Sequence, residues 1–374
     1  MTFSAIVSQI QSEKNILQIT KPDKLKVVPS GSWVFDNLTG GVGGFPRGVL
    51  SELHGIESCG KTTLALCAAV IAQTNHKMPV LYLDNEHALN AAYAHHLGLN
   101  ISDPSKCIIY KPVTLEENLE IVEAYFADAL KNKYGMFVIV DSISTMIPKE
   151  IYSDPAKSIT NWGLTSKLQT AFVQKFVKLI SLTDSVGLMI SQMRANTVQG
   201  PMAAFAEKEK ATGGYAYRHL LSTRFLLKPG KKEKVKAEDK IAGAVERENV
   251  MQVIVKNKKN KVGMPYLTGT MYIRLGHGID NIRTAVEAAI AHGHIVRGKT
   301  GAITCDKIPD LKSRSITSTV ALLETDKKLS DALLNLLGWR DKNGNINLTD
   351  DMTVIKQGAV IPTDDEEDDD DDDD

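Results

Sequence analysis

From about residue 33 to 277, short apolar runs alternate with longer stretches whose apolar positions recur every three to four residues. The runs VLYLD (80–84), MFVIVD (136–141), VGLMIS (186–191), TRFLL (223–227), VMQVIVK (250–256) and GTMYIRL (269–275) predict strands. The stretches 62–73, 116–131 and 163–182 predict helices between the early strands. That alternation is the signature of parallel βαβ units. The later strands follow one another closely, which predicts antiparallel additions at one sheet edge. The expected class is α/β with a mostly parallel central sheet.

The flanks read differently. Residues 3–18 space Phe3, Ile6, Val7, Ile10, Ile16 and Leu17 as a short amphipathic helix, too small to hold a core. A linker with Pro22 and Pro29 follows. The expected division is an N-terminal oligomerisation helix and linker over 1–30, a core over 31–279, a small α-rich domain over 280–362 and a tail over 363–374. The α-rich domain rests on the patterns IRTAVEAAIAHG and KLSDALLNLLGW. Two stretches inside the core read as loops: the glycine-containing 194–214 and the charged connection 229–247.

Composition narrows the class. The chain has 374 residues, 43% hydrophobic and 24% charged, enough to bury a sizeable core. No run approaches the roughly 20 apolar residues of a membrane span, and the N-terminus lacks the basic start and apolar core of a signal peptide. Cys59, Cys67, Cys107 and Cys305 are scattered without a CxxC pair, which argues against a disulfide framework or structural zinc and fits a reducing cytoplasm. Charge changes the picture more. Residues 364–374 are eleven acids; without them 34 acids face 44 bases, a net +10 over residues 1–363. A basic body with an acidic, disordered tail predicts a polyanionic partner and a segment that competes with it. A merely solubilising tail is the plain alternative.

The strongest local signal is GIESCGKTT at 55–63, which follows the apolar run VLSELH and opens a helix. Gly55 and Gly60 let the loop wrap so that the backbone of Glu57, Ser58 and Cys59 can face phosphates, and the helix N-terminus adds partial positive charge. Lys61 is expected on the β- and γ-phosphates and the Thr62 hydroxyl, with Thr63 beside it, at Mg²⁺. Asp141, with Ser142, ends an apolar strand and is the expected acid partner of the metal. Glu86 lies just past the strand VLYLD and is the candidate for positioning an attacking water; an exposed loop acid is the plain reading.

GIESCGKTT, DNEHAL, VIVDS, SQMR, TGGYAYRH and VKNK occur in the order and approximate spacing of the RecA-type recombinases. The resemblance runs from SGSWVFDNLTGG (30–41) through GHGID (276–280), in either the bacterial branch or the phage branch that includes UvsX. It implies a RecA-like P-loop ATPase core that uses ATP and Mg²⁺. It makes Glu86 the catalytic glutamate, Tyr93 the adenine-stacking aromatic and Gln192 the γ-phosphate sensor. Asn90 and Leu275 depart from the bacterial pattern at adenine-contacting positions. Lys256 and Lys258 match paired lysines that reach the neighbouring protomer's ATP, while Lys259 and Lys261 read as a solvated basic turn. The resemblance places DNA on two loops: 153–163, with Trp162 as a wedge or a core residue, and 194–214, with Arg194, Gly213 and Gly214, followed by Arg218 on the next helix. Cys59 replaces a common serine and is a candidate for oxidation.

The implied function is ATP-dependent strand exchange. The chain would form a helical homo-oligomer on single-stranded DNA in a bacterial or phage-infected cytoplasm and pair it with double-stranded DNA. Single-strand-binding and loader proteins are further candidate partners, and no membrane is expected. A ring-forming helicase-like motor with the same core, and a filament regulator that binds ATP without turnover, are the competing classes.

Overall fold

Ten strands build the central sheet of the computed structural model, which describes residues 25–155, 163–195, 209–211, 215–234 and 248–339. Six run parallel: β3 (Leu50–Gly55), β4 (Val80–Asp84), β5 (Cys107–Tyr110), β6 (Phe137–Asp141), β7 (Val186–Ala195) and β9 (Thr223–Lys234). The antiparallel members are β8 (Glu209–Ala211), beside β7, and the edge run β10 (Glu248–Asn260), β11 (Thr268–Arg274) and β12 (Gly278–Ile279). The order is β12-β11-β10-β9-β3-β7-β6-β4-β5. Two short strands, β1 (Val27–Val28) and β2 (Phe45–Pro46), pair separately.

Both faces of this sheet are covered, which is why β3, β4 and β6 are buried along their whole length; β4 and β6 read as apolar runs ending in an acid, whereas β3 carries Ser51, Glu52 and His54. On one face α1 (Trp33–Leu38) and α2 (Lys61–Asn75) pack over Leu53, Ile139, Leu188 and Phe225. The other face carries α4 (Leu115–Asn132), α6 (Leu164–Thr183) and α7 (Tyr215–Arg218), after the short α3 (Ala91–His96) and α5 (Lys149–Ser153). Thr114 caps α4 by accepting from the Glu117 N–H, and Phe126 meets Phe176 of α6 edge-on with ring centroids 6.0 Å apart. The α/β class and the antiparallel edge are as the patterning predicts.

Two expectations need correcting. The charged connection 229–247 is not wholly loop, because β9 continues to Lys234 and pairs with β10, Glu248 opposite Lys234 and Met251 opposite Lys232. Backbone pairing needs no apolar side chains there. KNKKNK is not a turn either: β10 runs through Asn260, and Lys259 and Lys261 donate to the carbonyls of Arg218 and His219 rather than standing free in water. The capped short elements β5, α3 and α5 carry too few apolar positions to show a period.

Beyond Asp280, α8 (Asn281–Ala291), α9 (Ile316–Thr325) and α10 (Lys327–Leu336) enclose a core of Val286, Leu311, Val320 and Leu333. The antiparallel strands β13 (Val296–Arg297), β14 (Ile303–Thr304) and β15 (Lys312–Ser313) add a small sheet that helical patterning does not reveal. Trp339 meets Trp33 of α1 edge-on at 6.0 Å, and Arg274 joins both Asp280 and Glu324. The predicted helix 3–18, most of the loops 153–163 and 194–214, residues 340–362 and the acidic tail lie outside the described residues. No described helix is long and apolar enough to cross a membrane.

Candidate active site

Sheet register brings the functional strand ends together. Gly55 of β3 lies opposite Gln192 of β7, and Asp84 of β4 opposite Asp141 of β6. Because parallel strands share one direction, the loops leaving them converge on one edge of the sheet, where α/β proteins bind ligands. A cleft of about 690 Å³ opens there.

The loop between β3 and α2 forms one wall. Gly60 has φ +89°, and a β-carbon there would stand 2.4 Å from Ile273 Cδ1; one at Gly55 would stand 2.2 Å from the Leu227 carbonyl oxygen. Both conformation and space therefore require glycine at these positions. Lys61 Nζ lies buried within the loop, donating to Gly55 O at 2.8 Å and Ile56 O at 2.5 Å. Cys59 is also buried, with its sulfur 3.6 Å from Lys61 Nζ. Burial raises its thiol pKa more than the Lys61 ammonium lowers it, so the thiol stays protonated and the expected oxidation liability is weakened.

Asp141 forms the floor. Its Oδ2 accepts from the Thr62 hydroxyl at 2.9 Å and from the Tyr82 hydroxyl at 2.6 Å. Burial pushes its pKa up to about 6; the neighbouring Glu86 and Asp84 charges add to the rise, and the two hydroxyls oppose it. Its buried Oδ1 has no hydrogen-bond partner among the described residues. A hard divalent cation fits this set, since Thr62 Oγ1 and an unshared carboxylate oxygen stand side by side beneath the phosphate loop. Ser142, joined to Asp141 by a cis peptide, is buried and does not line the cleft. Its expected role beside the ligand is therefore not supported by its position.

The opposite wall holds Glu86 and Gln192. Asp84 accepts from the N–H groups of Ala88 and Leu89, and the Asp141 carbonyl accepts from those of Asn85 and Glu86. These four bonds fix the turn that presents Glu86. Gln192 Nε2 donates to Glu86 Oε1 at 2.9 Å, and the Gln192 N–H donates to the Ser144 hydroxyl. Tyr93, Asn90, Met251, Ile273, Leu275 and Gly276 complete the cleft as a largely apolar slot suited to a planar base. The Tyr93 hydroxyl lies 3.2 Å from that of Thr63. Asn90 Oδ1 is spent accepting from the Tyr93 N–H as the N-cap of α3, so its side chain serves the helix first.

One structure thus brings together Glu57, Ser58, Cys59, Gly60, Lys61, Thr62, Thr63, Glu86, Asn90, Tyr93, Asp141 and Gln192. Gly55 contributes its carbonyl from just behind. Lys256 and Lys258 lie on β10 outside their own chain's cleft, with Lys258 exposed. The DNA-binding set is not brought together: Trp162, Gly213 and Gly214 lie outside the described residues, as does the side chain of Arg194, while Arg218 is half-buried on α7. Tyr82, Ser144, Met251 and Ile273 were not foreseen. Tyr82 precedes Asp84 by two positions on a buried strand, and a hydroxyl there must find a partner, which was a usable signal.

Residues 3–280 match the family model for the RecA N-terminal domain. The chain belongs to the RecA family. Protein RecA of Bacillus velezensis is 34% identical over 258 residues, covering 68% of this chain and 67% of the relative. Protein RecA of Thermotoga maritima is 32% identical over 279 residues, covering 74% and 72%. That of Thermus thermophilus is 30% identical over 275 residues, covering 73% and 74%. The RecA match starts well before the motif-bearing stretch and includes the N-terminal segment. The chain is a RecA-type recombinase, and its RecA core carries the cleft.

Proposed function

We propose that this recombinase is a DNA-dependent ATPase whose turnover drives strand exchange, with ATP in the cleft between Lys61, Tyr93 and Glu86. The observation that carries this reading is the Glu86–Gln192 hydrogen bond standing across from Lys61 and the Thr62–Asp141 pair. Phosphates would lie against the N–H groups of residues 57–62, with Lys61 exchanging its loop carbonyls for the β- and γ-phosphate oxygens. Thr62 and Asp141 would hold Mg²⁺, which supplies charge neutralisation on the phosphates. Glu86 would orient water in line with the γ-phosphorus. The water oxygen bonds phosphorus as the bridging P–O bond breaks, the water proton leaves towards the carboxylate, and the electron pair departs with ADP. Gln192 would exchange Glu86 for the γ-phosphate and so register its presence on β7.

In this reading β7 runs into the segment 194–214, which with 153–163 forms the single-stranded DNA surface. The N-terminal residues ahead of β1 dock on the next protomer, and residues 280–362 form a separate module. Protomers assemble as a helical filament that pairs the bound strand with duplex DNA. Glu86→Gln tests the cleft directly. It should leave ATP and DNA binding within about threefold while lowering steady-state hydrolysis by roughly 10²-fold or more. Near wild-type turnover in that variant would remove Glu86 from the chemistry. Electron microscopy with ATP and single-stranded DNA should show open filaments; closed rings would support a motor instead.

A further inference from the structure

A carboxylate that takes no part in the cleft sits at the centre of the sheet. Glu52 on β3 is fully buried, three residues before Gly55. Its Oε1 accepts from the Ser191 hydroxyl at 2.7 Å and the Tyr217 hydroxyl at 3.2 Å. Its Oε2 accepts from Arg224 Nε at 2.6 Å and stands 3.7 Å from His54 Nδ1. Burial alone would raise this carboxyl, but the charges of His54 and Arg224, with hydrogen bonds from Arg224 and Ser191, hold it below its ordinary range. His54 is itself neutral at pH 7, so Arg224 is the standing counter-charge there.

The partners are what give the cluster meaning. Ser191 immediately precedes Gln192, the residue bonded to Glu86. Tyr217 lies on α7, the first helix after the segment 194–214. Arg224 is the second residue of β9, and Lys259, from β10, donates to the carbonyls of Arg218 at the end of α7 and of His219 just past it. One anion therefore ties the strand that ends in the phosphate loop to the strand that enters the proposed DNA segment and to the helix that leaves it. Its partner Tyr217 belongs to an apolar cluster with Leu50, Phe172, Met189 and Leu221. A buried charge is costly, and an apolar side chain of similar volume would serve stability as well. The placement argues for a geometric duty rather than a stabilising one.

We propose that Glu52 is a positioning residue that couples nucleotide in the cleft to the DNA-binding segment, through Ser191 on its entry strand and Tyr217 on its exit helix. This rests on the reading of the cleft as an ATP site and of 194–214 as a DNA surface. A shift of Gln192 towards a γ-phosphate displaces Ser191. Glu52 is anchored to β3 and Arg224, so the displacement changes the Ser191–Glu52–Tyr217 geometry instead of dissipating in an apolar core. Because binding couplings are reciprocal, single-stranded DNA must raise ATP affinity by the factor that ATP raises DNA affinity.

The test uses the full chain with a fluorescent oligothymidylate and a non-hydrolysable ATP analogue or ADP, each with Mg²⁺. The readout is the ratio of DNA affinities in the two nucleotide states. In wild type the analogue should tighten DNA binding at least tenfold over ADP. Glu52→Gln removes the charge and leaves one acceptor oxygen where two served Arg224, Ser191 and Tyr217, and should reduce that ratio to within about twofold of unity. Analogue affinity without DNA should change less than threefold. Ser191→Ala and Tyr217→Phe each remove one donor and should each reduce the ratio about fivefold. They keep the proposal testable if Glu52→Gln fails to fold. The reciprocal measurement, the analogue-to-ADP affinity ratio with oligonucleotide divided by that without, should fall by the same factors. Folded variants that keep the wild-type ratio would overturn the proposal, as would equal weakening in both nucleotide states. A wild-type ratio near one would instead overturn the reading of the cleft, and the coupling with it.

Discussion

One imidazole nitrogen sets how the middle of the sheet meets acid. His54 Nδ1 is buried without a hydrogen-bond partner among the described residues, and burial pushes the ring's pKa down to about 4. Glu52 pulls it upward, while Arg224, Arg218 and Lys258 add to the depression. In the unfolded chain the same ring titrates near the ordinary value of about 6.5. Above that pH the ring is neutral in both states and its contribution is fully present. Between about 6.5 and 4 the unfolded chain takes up a proton that the folded chain refuses, so stability falls as pH falls. The integrated loss is on the order of 3 kcal/mol. His54→Gln should therefore flatten the acid limb, narrowing the drop in denaturant midpoint between pH 7 and pH 4.5. Parallel midpoint curves for variant and wild type would show that the ring does not carry it.

Elements are joined by single polar side chains at places where apolar packing ends. Asn257 of β10 is buried, and its Nδ2 donates to the Leu38 carbonyl at the end of α1 and to the Met264 carbonyl in the β10–β11 turn. Asn257→Ala would strand both acceptors and should cost about 1–3 kcal/mol, read as a lower urea midpoint with an unchanged slope. An unchanged midpoint would mean that water replaces the amide. Little of this joinery was legible beforehand. VLYLD was readable because a strand covered on both faces is apolar throughout, and the phosphate loop because its glycines and lysine are contiguous. The end of β9 in PGKKEK was hidden, since ladder pairing leaves no mark on charged side chains. The Glu86–Gln192 bond spans 106 residues, and the family resemblance had paired those residues by role without indicating their contact. Glu52 was not foreseen at all, because a lone acid in LSELH carries no spacing signal.

At the scale of the whole molecule, the groups that would meet phosphate come from the β3–α2 loop, α2, β6, β7 and the 85–90 turn of a single chain. A transferred phosphoryl group gathers negative charge, and a cation brought by a second chain is worth about 10³–10⁵ in rate where such devices operate. Lys256 and Lys258 stand on β10 around a bulge between Asn257 and Lys259, and neither lines its own chain's cleft. Lys259 and Lys261, by contrast, are occupied with α7 carbonyls. If the first pair serves the neighbour's ATP, the active unit is the interface and not the protomer. Lys256→Ala/Lys258→Ala should then lose DNA-stimulated hydrolysis while keeping ATP binding, and Lys61→Ala should lose hydrolysis through its own phosphate loop. Mixing the two inactive proteins creates interfaces that join an intact loop to intact lysines. In equimolar, randomly mixed filaments about a quarter of interfaces would have that arrangement, so ATPase activity should return to roughly that fraction of wild type. Co-assembly is checked by energy transfer between differently labelled subunits, and mixed filaments with no recovered turnover would place both lysines in the service of their own chain.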